Sequence, residues 1–144
     1  MKDYKTQLKR YDLKATPQRM FMINEIEQKG HIDIDNLYKS LKNIFPYISL
    51  ATVYKNINSM TQNGFLSEVK IPKLKTRYEL SKEKHAHLFC TNCSELKDIF
   101  IDKQLVTNKA AEKSGYKIND TLITFEGICP KCQEKNNMVS TETK

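Results

Sequence analysis

The stretch Ser49-Leu50-Ala51-Thr52-Val53-Tyr54-Lys55-Asn56-Ile57-Asn58-Ser59-Met60-Thr61-Gln62-Asn63-Gly64 reads as a single helix with a start, a buried side, an open side and a stop. Ser49 is a good N-cap, and Gly64 is a residue at which helices end. At about 100° per residue, Leu50, Val53, Ile57 and Met60 gather on one side as the candidate core face. Ala51, Thr52, Lys55 and Ser59 fall opposite them, with Tyr54 and Asn56 on the flanks. That open side is small, neutral or cationic and carries no carboxylate, so it can approach a polyanion closely. Ala51 and Thr52 offer methyl groups to thymine, Tyr54 a ring and a hydroxyl, and Lys55 a donor to guanine or phosphate. An ordinary solvated helix face looks much the same, so the flanking sequence carries the argument.

Upstream, apolar residues recur at helical spacing in three further segments. Tyr4, Leu8 and Tyr11 suggest a first helix. Thr16-Pro17, an N-cap followed by Pro at the first helical position, opens a second through Met20, Ile23 and Ile26, which closes at Lys29-Gly30. Asp33 caps a third, with Leu37 and Leu41 inward, that ends near Pro46. Downstream the period changes from helix to strand: residues 65–71, a turn at Pro72-Lys73, and residues 76–80 read as a β-hairpin. Helices followed by a hairpin make a winged helix. Lys70, Lys73, Lys75 and Arg77 on the wing, and Lys14 and Arg19 around the Thr16 cap, are candidate phosphate contacts, as is Ser49 at the head of the fourth helix.

Charge is distributed accordingly. Residues 1–80 hold 14 Lys and Arg against 8 Asp and Glu, whereas residues 81–144 hold 10 against 9. The first half is therefore the half expected to meet nucleic acid. Met1 to Asp12 is charged throughout, unlike a signal peptide, and no apolar run approaches the ~20 residues of a membrane span. A cytoplasmic protein with no membrane contact is expected.

Two Cys-x-x-Cys pairs, Cys90/Cys93 and Cys129/Cys132, account for all four cysteines. Each tight turn can bring two sulfurs to one ion, and two turns complete a closed tetrahedral Zn²⁺ site whose work is folding rather than catalysis. Disulfides and a dithiol redox switch are the alternatives, and a cytoplasmic chain disfavours the first. His85 and His87 share one face of a strand, while Cys90 has the opposite parity, so the histidines need other partners. His31 is the one further histidine, and Glu79 and Asp98 are nearby carboxylates. Together these five could form a site of three nitrogens and two oxygens, a set suited to Fe²⁺ or Mn²⁺.

From residue 82 the expectation is a small α/β unit: strands over about 86–91 and 95–101, a helix over 102–113 and a strand over 116–127. The whole chain is then α+β, with a winged helix-turn-helix domain over 1–81, a zinc-containing dimerisation and metal-binding domain over 82–135, and a disordered tail over 136–144.

These motifs, in this order, resemble the ferric uptake regulator family from about Leu13 to Cys132. Leu13-Lys14-Ala15-Thr16-Pro17-Gln18-Arg19 resembles its N-terminal signature, Ser49 to Asn56 its recognition helix, and His85-Ala86-His87-Leu88-Phe89-Cys90-Thr91-Asn92-Cys93 its metal segment. The resemblance implies a homodimer that binds a palindromic operator and usually represses when a divalent metal fills a sensing site. It also places the sensing ligands on His31, Glu79, His85, His87 and Asp98. Asp98 matches the peroxide-responsive branch, whereas Glu79 stands where that branch usually has Asp, and a zinc sensor would have Cys there. Lys84, Ala86 and Thr121 stand where many iron regulators hold an accessory metal.

The expectation is a non-enzymatic, metal-dependent repressor that senses peroxide through Fe²⁺ bound to one half of the site from each domain. An iron-responsive regulator is the alternative, and a zinc-ribbon nucleic-acid module without sensing is the remoter one. A zinc deaminase is rejected because His87 replaces the Glu of its His-x-Glu motif.

Overall fold

The computed structural model describes residues 3–82 and 84–139, with side chains up to residue 135. The chain divides into two compact units, Met1–Lys82 and Glu83–Lys144.

In the first unit the helices are α1 (Tyr4–Arg10), α2 (Pro17–Lys29), α3 (Ile34–Ile44) and α4 (Leu50–Gln62), and the strands are β1 (Ile32–Asp33), β2 (Leu66–Val69) and β3 (Arg77–Leu80). Side-chain caps fix the starts of all four helices. Asp3 accepts from the Thr6 N–H, Thr16 from Arg19, Asp33 from Asn36 and Ser49 from Thr52, each serving a first-turn donor. Gly30 closes α2 at φ +78°, where its N–H returns to the Ile26 carbonyl and a side chain would be strained. Met22, Ile23 and Ile26 of α2, Leu37 and Leu41 of α3, and Val53, Ile57 and Met60 of α4 close one core with Leu8, Phe65 and Leu66. Leu50, expected inside, is 38% exposed. It is the first residue of α4, and Ile48 just before the cap is buried instead.

The expected hairpin is present, with β2 antiparallel to β3 from Leu66 opposite Leu80 to Val69 opposite Arg77. A third strand was not anticipated. β1, only two residues long, pairs antiparallel on the other edge of β3, giving the order β1-β3-β2.

The second unit holds β4 (Ala86–Cys90), β5 (Leu96–Ile99), α5 (Gln104–Ser114), β6 (Thr124–Gly127) and α6 (Pro130–Val139). β4 is central, antiparallel to β5 and parallel to β6. Two expectations need correction. The strand expected over 116–127 is confined to Thr124–Gly127, because its partner β4 begins only at Ala86 and Asp120 turns its carboxylate onto the Thr121 N–H. The last knuckle opens a helix: Pro130 takes the first helical position and the Gln133 N–H donates to the Cys129 carbonyl. The tail expected from residue 136 therefore starts inside α6, and residues 140–144 lie outside the described residues. Among the described residues no helix is long and apolar enough to cross a membrane.

Candidate metal centres and nucleic-acid face

The cysteine knuckles sit at strand ends. Cys90 ends β4, where its N–H donates to the Glu95 carbonyl and its carbonyl accepts from Ser94, a residue at φ +65°. This turn sends the chain back into β5 and brings Cys93 beside Cys90. Beside β4, β6 delivers Cys129 to the start of α6, and Cys132 follows one helical turn on. One sulfur from each of the four residues lies within 4.8 Å of the others. The Cys93 and Cys129 sulfurs are 3.8 Å apart, too far for a disulfide and equal to the edge of a ZnS₄ tetrahedron with bonds of about 2.3 Å. N–H groups of Cys93 and Cys129 aim at the Cys90 sulfur, at 3.4 and 3.3 Å, and draw its thiol down to about 6. Cys93 is pushed the other way, to about 12: the Glu95 N–H favours its thiolate, but the Cys90 sulfur, loss of solvent and the Cys132 and Cys129 sulfurs together oppose it. Four thiolates at this spacing repel one another, and a divalent cation removes the conflict. The donor set fits Zn²⁺.

The histidines and carboxylates form two further groups. In the first unit, β1 pairing on β3 sets His31, just ahead of Ile32, beside Glu79; His31 Nε2 is 2.9 Å from Glu79 Oε2. Glu79 is 2% exposed and is the one charged side chain buried among the described core residues. A carboxylate so placed is costly unless a cation or strong donors answer it. In the second unit, His87 lies directly opposite Asp98 across β4 and β5, and His85 stands just ahead of β4. His85 Nε2 and His87 Nε2 are 3.1 Å apart, and they lie 3.5 and 3.4 Å from Asp98 Oδ1. Two imidazole nitrogens and a carboxylate oxygen thus converge at the separation of neighbouring ligands around an ion with bonds of about 2.1 Å. His85 and His87 bring their rings to one side as expected, although His85 lies just outside the strand. Two supports for His85 were not visible in the sequence: the Lys103 ammonium donates to its carbonyl at 3.2 Å, and the Phe100 ring lies 5.7 Å from its own.

On the first unit, the open side of α4 is as expected. Ala51, Tyr54 and Lys55 are exposed and Thr52 is partly so, while Val53 and Ile57 face inward. Ser49 spends its hydroxyl on the Thr52 N–H and hydroxyl. On the wing, Lys73 lies in the turn at φ +68°, Lys70 pairs with Glu68 at 3.4 Å and Lys75 pairs with Asp35 of α3. Lys14 is exposed, whereas Arg19 is half-buried, with its Nε 2.9 Å from Asn56 Oδ1.

A winged helix followed by a small α/β unit with a four-cysteine knuckle defines a class, the metal-responsive winged-helix regulators. Within that class the chain belongs to the ferric uptake regulator family, whose profile matches residues 10–126. It is 29% identical over 132 residues to the peroxide operon regulator of Bacillus subtilis (strain 168), covering 90% of this chain and 91% of that protein. It is 31% identical over 135 residues to the ferric uptake regulation protein of Synechococcus elongatus, covering 90% and 92%. Among solved structures, the Campylobacter jejuni peroxide stress regulator superposes with a TM-score of 0.67 at 35% identity, over 91% of this chain and all of that one.

Proposed function

We propose that this chain is a cytoplasmic, homodimeric, metal-dependent repressor that binds a palindromic DNA operator and senses peroxide through Fe²⁺. In this reading Cys90, Cys93, Cys129 and Cys132 hold a structural Zn²⁺, and His31, Glu79, His85, His87 and Asp98 are ligands of one regulatory ion. The observation that carries it is the convergence of His85, His87 and Asp98 within 3.5 Å. That trio supplies a partial, oxygen- and nitrogen-rich shell, and the buried His31–Glu79 pair supplies the same donor types from the other unit. An ion needing both groups makes one arrangement of the two units dominant, and the operator selects that arrangement. Shifting such an equilibrium from mostly open to mostly closed takes roughly 5.5 kcal/mol of differential affinity, within reach of a site with two carboxylates.

The relatives include a peroxide operon regulator and a ferric uptake regulation protein at nearly equal identity, so identity does not choose the signal. Asp98, the residue of the peroxide branch in the resemblance above, favours peroxide. Glu79 favours a second reading, an iron-responsive regulator using the same ligands. Bound Fe²⁺ would supply one-electron reduction of peroxide next to an imidazole, chemistry that Mn²⁺ does not supply.

DNA contacts fall to Lys14, Ser49, Ala51, Thr52, Tyr54, Lys55, Lys70, Lys73 and Lys75. The homodimer is supported by the apolar surface of the second unit. Leu105, Tyr116 and Leu122 are 70%, 73% and 75% exposed, and α5 buries no residue within the chain.

The deciding experiment selects duplexes from a random-sequence pool with the Mn²⁺-loaded protein and measures affinity for the recovered sequence with Mn²⁺ or Fe²⁺, before and after peroxide. Peroxide sensing requires that only the Fe²⁺ form loses DNA and gains one oxygen in mass on the His31 or His85 peptide. Iron sensing requires DNA binding by both forms with no mass change. Selection of no palindrome at all would contradict both.

A further inference from the structure

We propose that Arg19 is a positioning residue that sets Lys14 against the DNA backbone, acting through Asn56 of α4, rather than a phosphate contact itself; this rests on the DNA-binding reading above. Arg19 is the third residue of α2. Its Nε donates to Asn56 Oδ1 at 2.9 Å across 37 positions of sequence, and its Nη1 donates to the Lys14 carbonyl at 3.0 Å. Asn56 Nδ2 donates to the Thr52 carbonyl at 2.9 Å, one turn back along its own helix. Both polar ends of the Asn56 amide are therefore engaged within the protein. Asn is the usual bidentate partner of adenine in a major groove, and here that edge is already committed.

The guanidinium is planar and its donors are fixed relative to one another, so two bonds at known angles orient three segments at once. The segment around Lys14 has little freedom left. Leu13 is buried and its N–H donates to the Leu8 carbonyl at 2.9 Å, and three residues further on Thr16 caps α2. Lys14 projects from this segment as an exposed side chain, and α4 presents Ala51, Tyr54 and Lys55. Arg19 holds the spacing between the two. A lysine at position 19 cannot replace it, because a single ammonium lacks the rigid fork that reaches the amide and the carbonyl together.

The test is equilibrium anisotropy of the selected duplex with Mn²⁺-loaded full-length protein, repeated over a range of KCl. Lys14→Ala removes one phosphate contact from each protomer, two per dimer on the palindrome, so it is expected to weaken binding roughly tenfold or more and to flatten the slope of log affinity against log salt by about 1.8. Asn56→Ala keeps the Arg19 charge and deletes no phosphate contact of its own. It is expected to reproduce both changes, and the Lys14→Ala/Asn56→Ala double variant to be no weaker than Lys14→Ala. Arg19→Lys is expected to behave like Asn56→Ala.

Three results overturn the proposal: wild-type affinity and slope in Asn56→Ala; an affinity loss in Asn56→Ala with an unchanged slope that multiplies with that of Lys14→Ala; or full affinity in Arg19→Lys. Because Asn56→Ala retains the guanidinium, it decides the matter even where Arg19→Lys fails to fold, which thermal melting of each variant shows. Failure of the wild-type protein to bind duplex sinks the DNA-binding reading and this proposal together. Binding by the wild type with no effect of Asn56→Ala sinks this proposal alone.

Discussion

Asp98 and His87 face each other across two strands, so the length and charge of one side chain set the distance from its carboxylate to both imidazoles. Asp98→Asn keeps the shape and removes the charge. Its Mn²⁺ affinity, measured by competition with a chromogenic chelator, is expected to fall tenfold or more while zinc content stays unchanged. Cys132→Ser separates the two centres in the opposite direction. Cys132 is 4% exposed, so a hydroxyl there is a poor ligand in a dry position. One zinc per chain is expected by elemental analysis of the wild type and none of this variant, with an early melting transition of the second unit. Protons compete with metal for imidazole nitrogen, so regulatory-ion affinity is expected to fall from about pH 7.5 to about pH 5.5, and a pH-independent titration would count against the histidine ligands. At this scale the sequence was informative where spacing alone constrains chemistry. Each Cys-x-x-Cys turn and the His-x-His need only local geometry to bring their own atoms together, while the pairing of β6 on β4 joins the two cysteine turns. What the sequence did not show is the partner Arg19 finds, Asn56, because it lies 37 residues away and no spacing rule connects them.

Elements were legible in proportion to their caps. Thr16-Pro17, Asp33 and Ser49 announce α2, α3 and α4, and each cap is made by the expected side chain. What escaped was set by partners rather than by local sequence. β1 is two residues long and exists because β3 offers it an edge. β6 stops short at Thr124 because β4, its parallel neighbour, begins at Ala86. α6 was hidden by reading Cys129-Pro130 as a turn, although Pro at the first helical position was the available signal. The position of Leu50 yields a test of how α4 is seated. Ile57 is fully buried and Leu50 is 38% exposed. Urea unfolding of Ile57→Ala is expected to show a loss of about 2–5 kcal/mol, and of Leu50→Ala less than about 1 kcal/mol. Equal losses would mean that the face of α4 turned to the core is wrongly assigned.

For the molecule as a whole, the two units differ in what they leave to solvent. The first closes an apolar core of its own. The second leaves Phe100, Leu105, Val106, Tyr116 and Leu122 more than half exposed, a surface too apolar for a unit that stands alone. A second copy of the chain is the occupant expected there. Sedimentation velocity is expected to give a dimer for the wild type and monomer for Leu122→Asp, with operator affinity lost in parallel, since a palindrome needs two reading helices. The charge asymmetry belongs to the same picture, because excess Lys and Arg lie in residues 1–80 while the remainder is nearly neutral. In the function proposed above, one divalent ion that takes ligands from His31 and Glu79 and from His85, His87 and Asp98 controls the grip on DNA. The most direct test is operator affinity as a function of Mn²⁺ in the wild type, His31→Ala and His87→Ala, each with its zinc intact. A steep metal-dependent rise is expected in the wild type and is lost alike in both variants; a His31→Ala protein that keeps the wild-type response to Mn²⁺ would rule out His31 as a ligand of that ion.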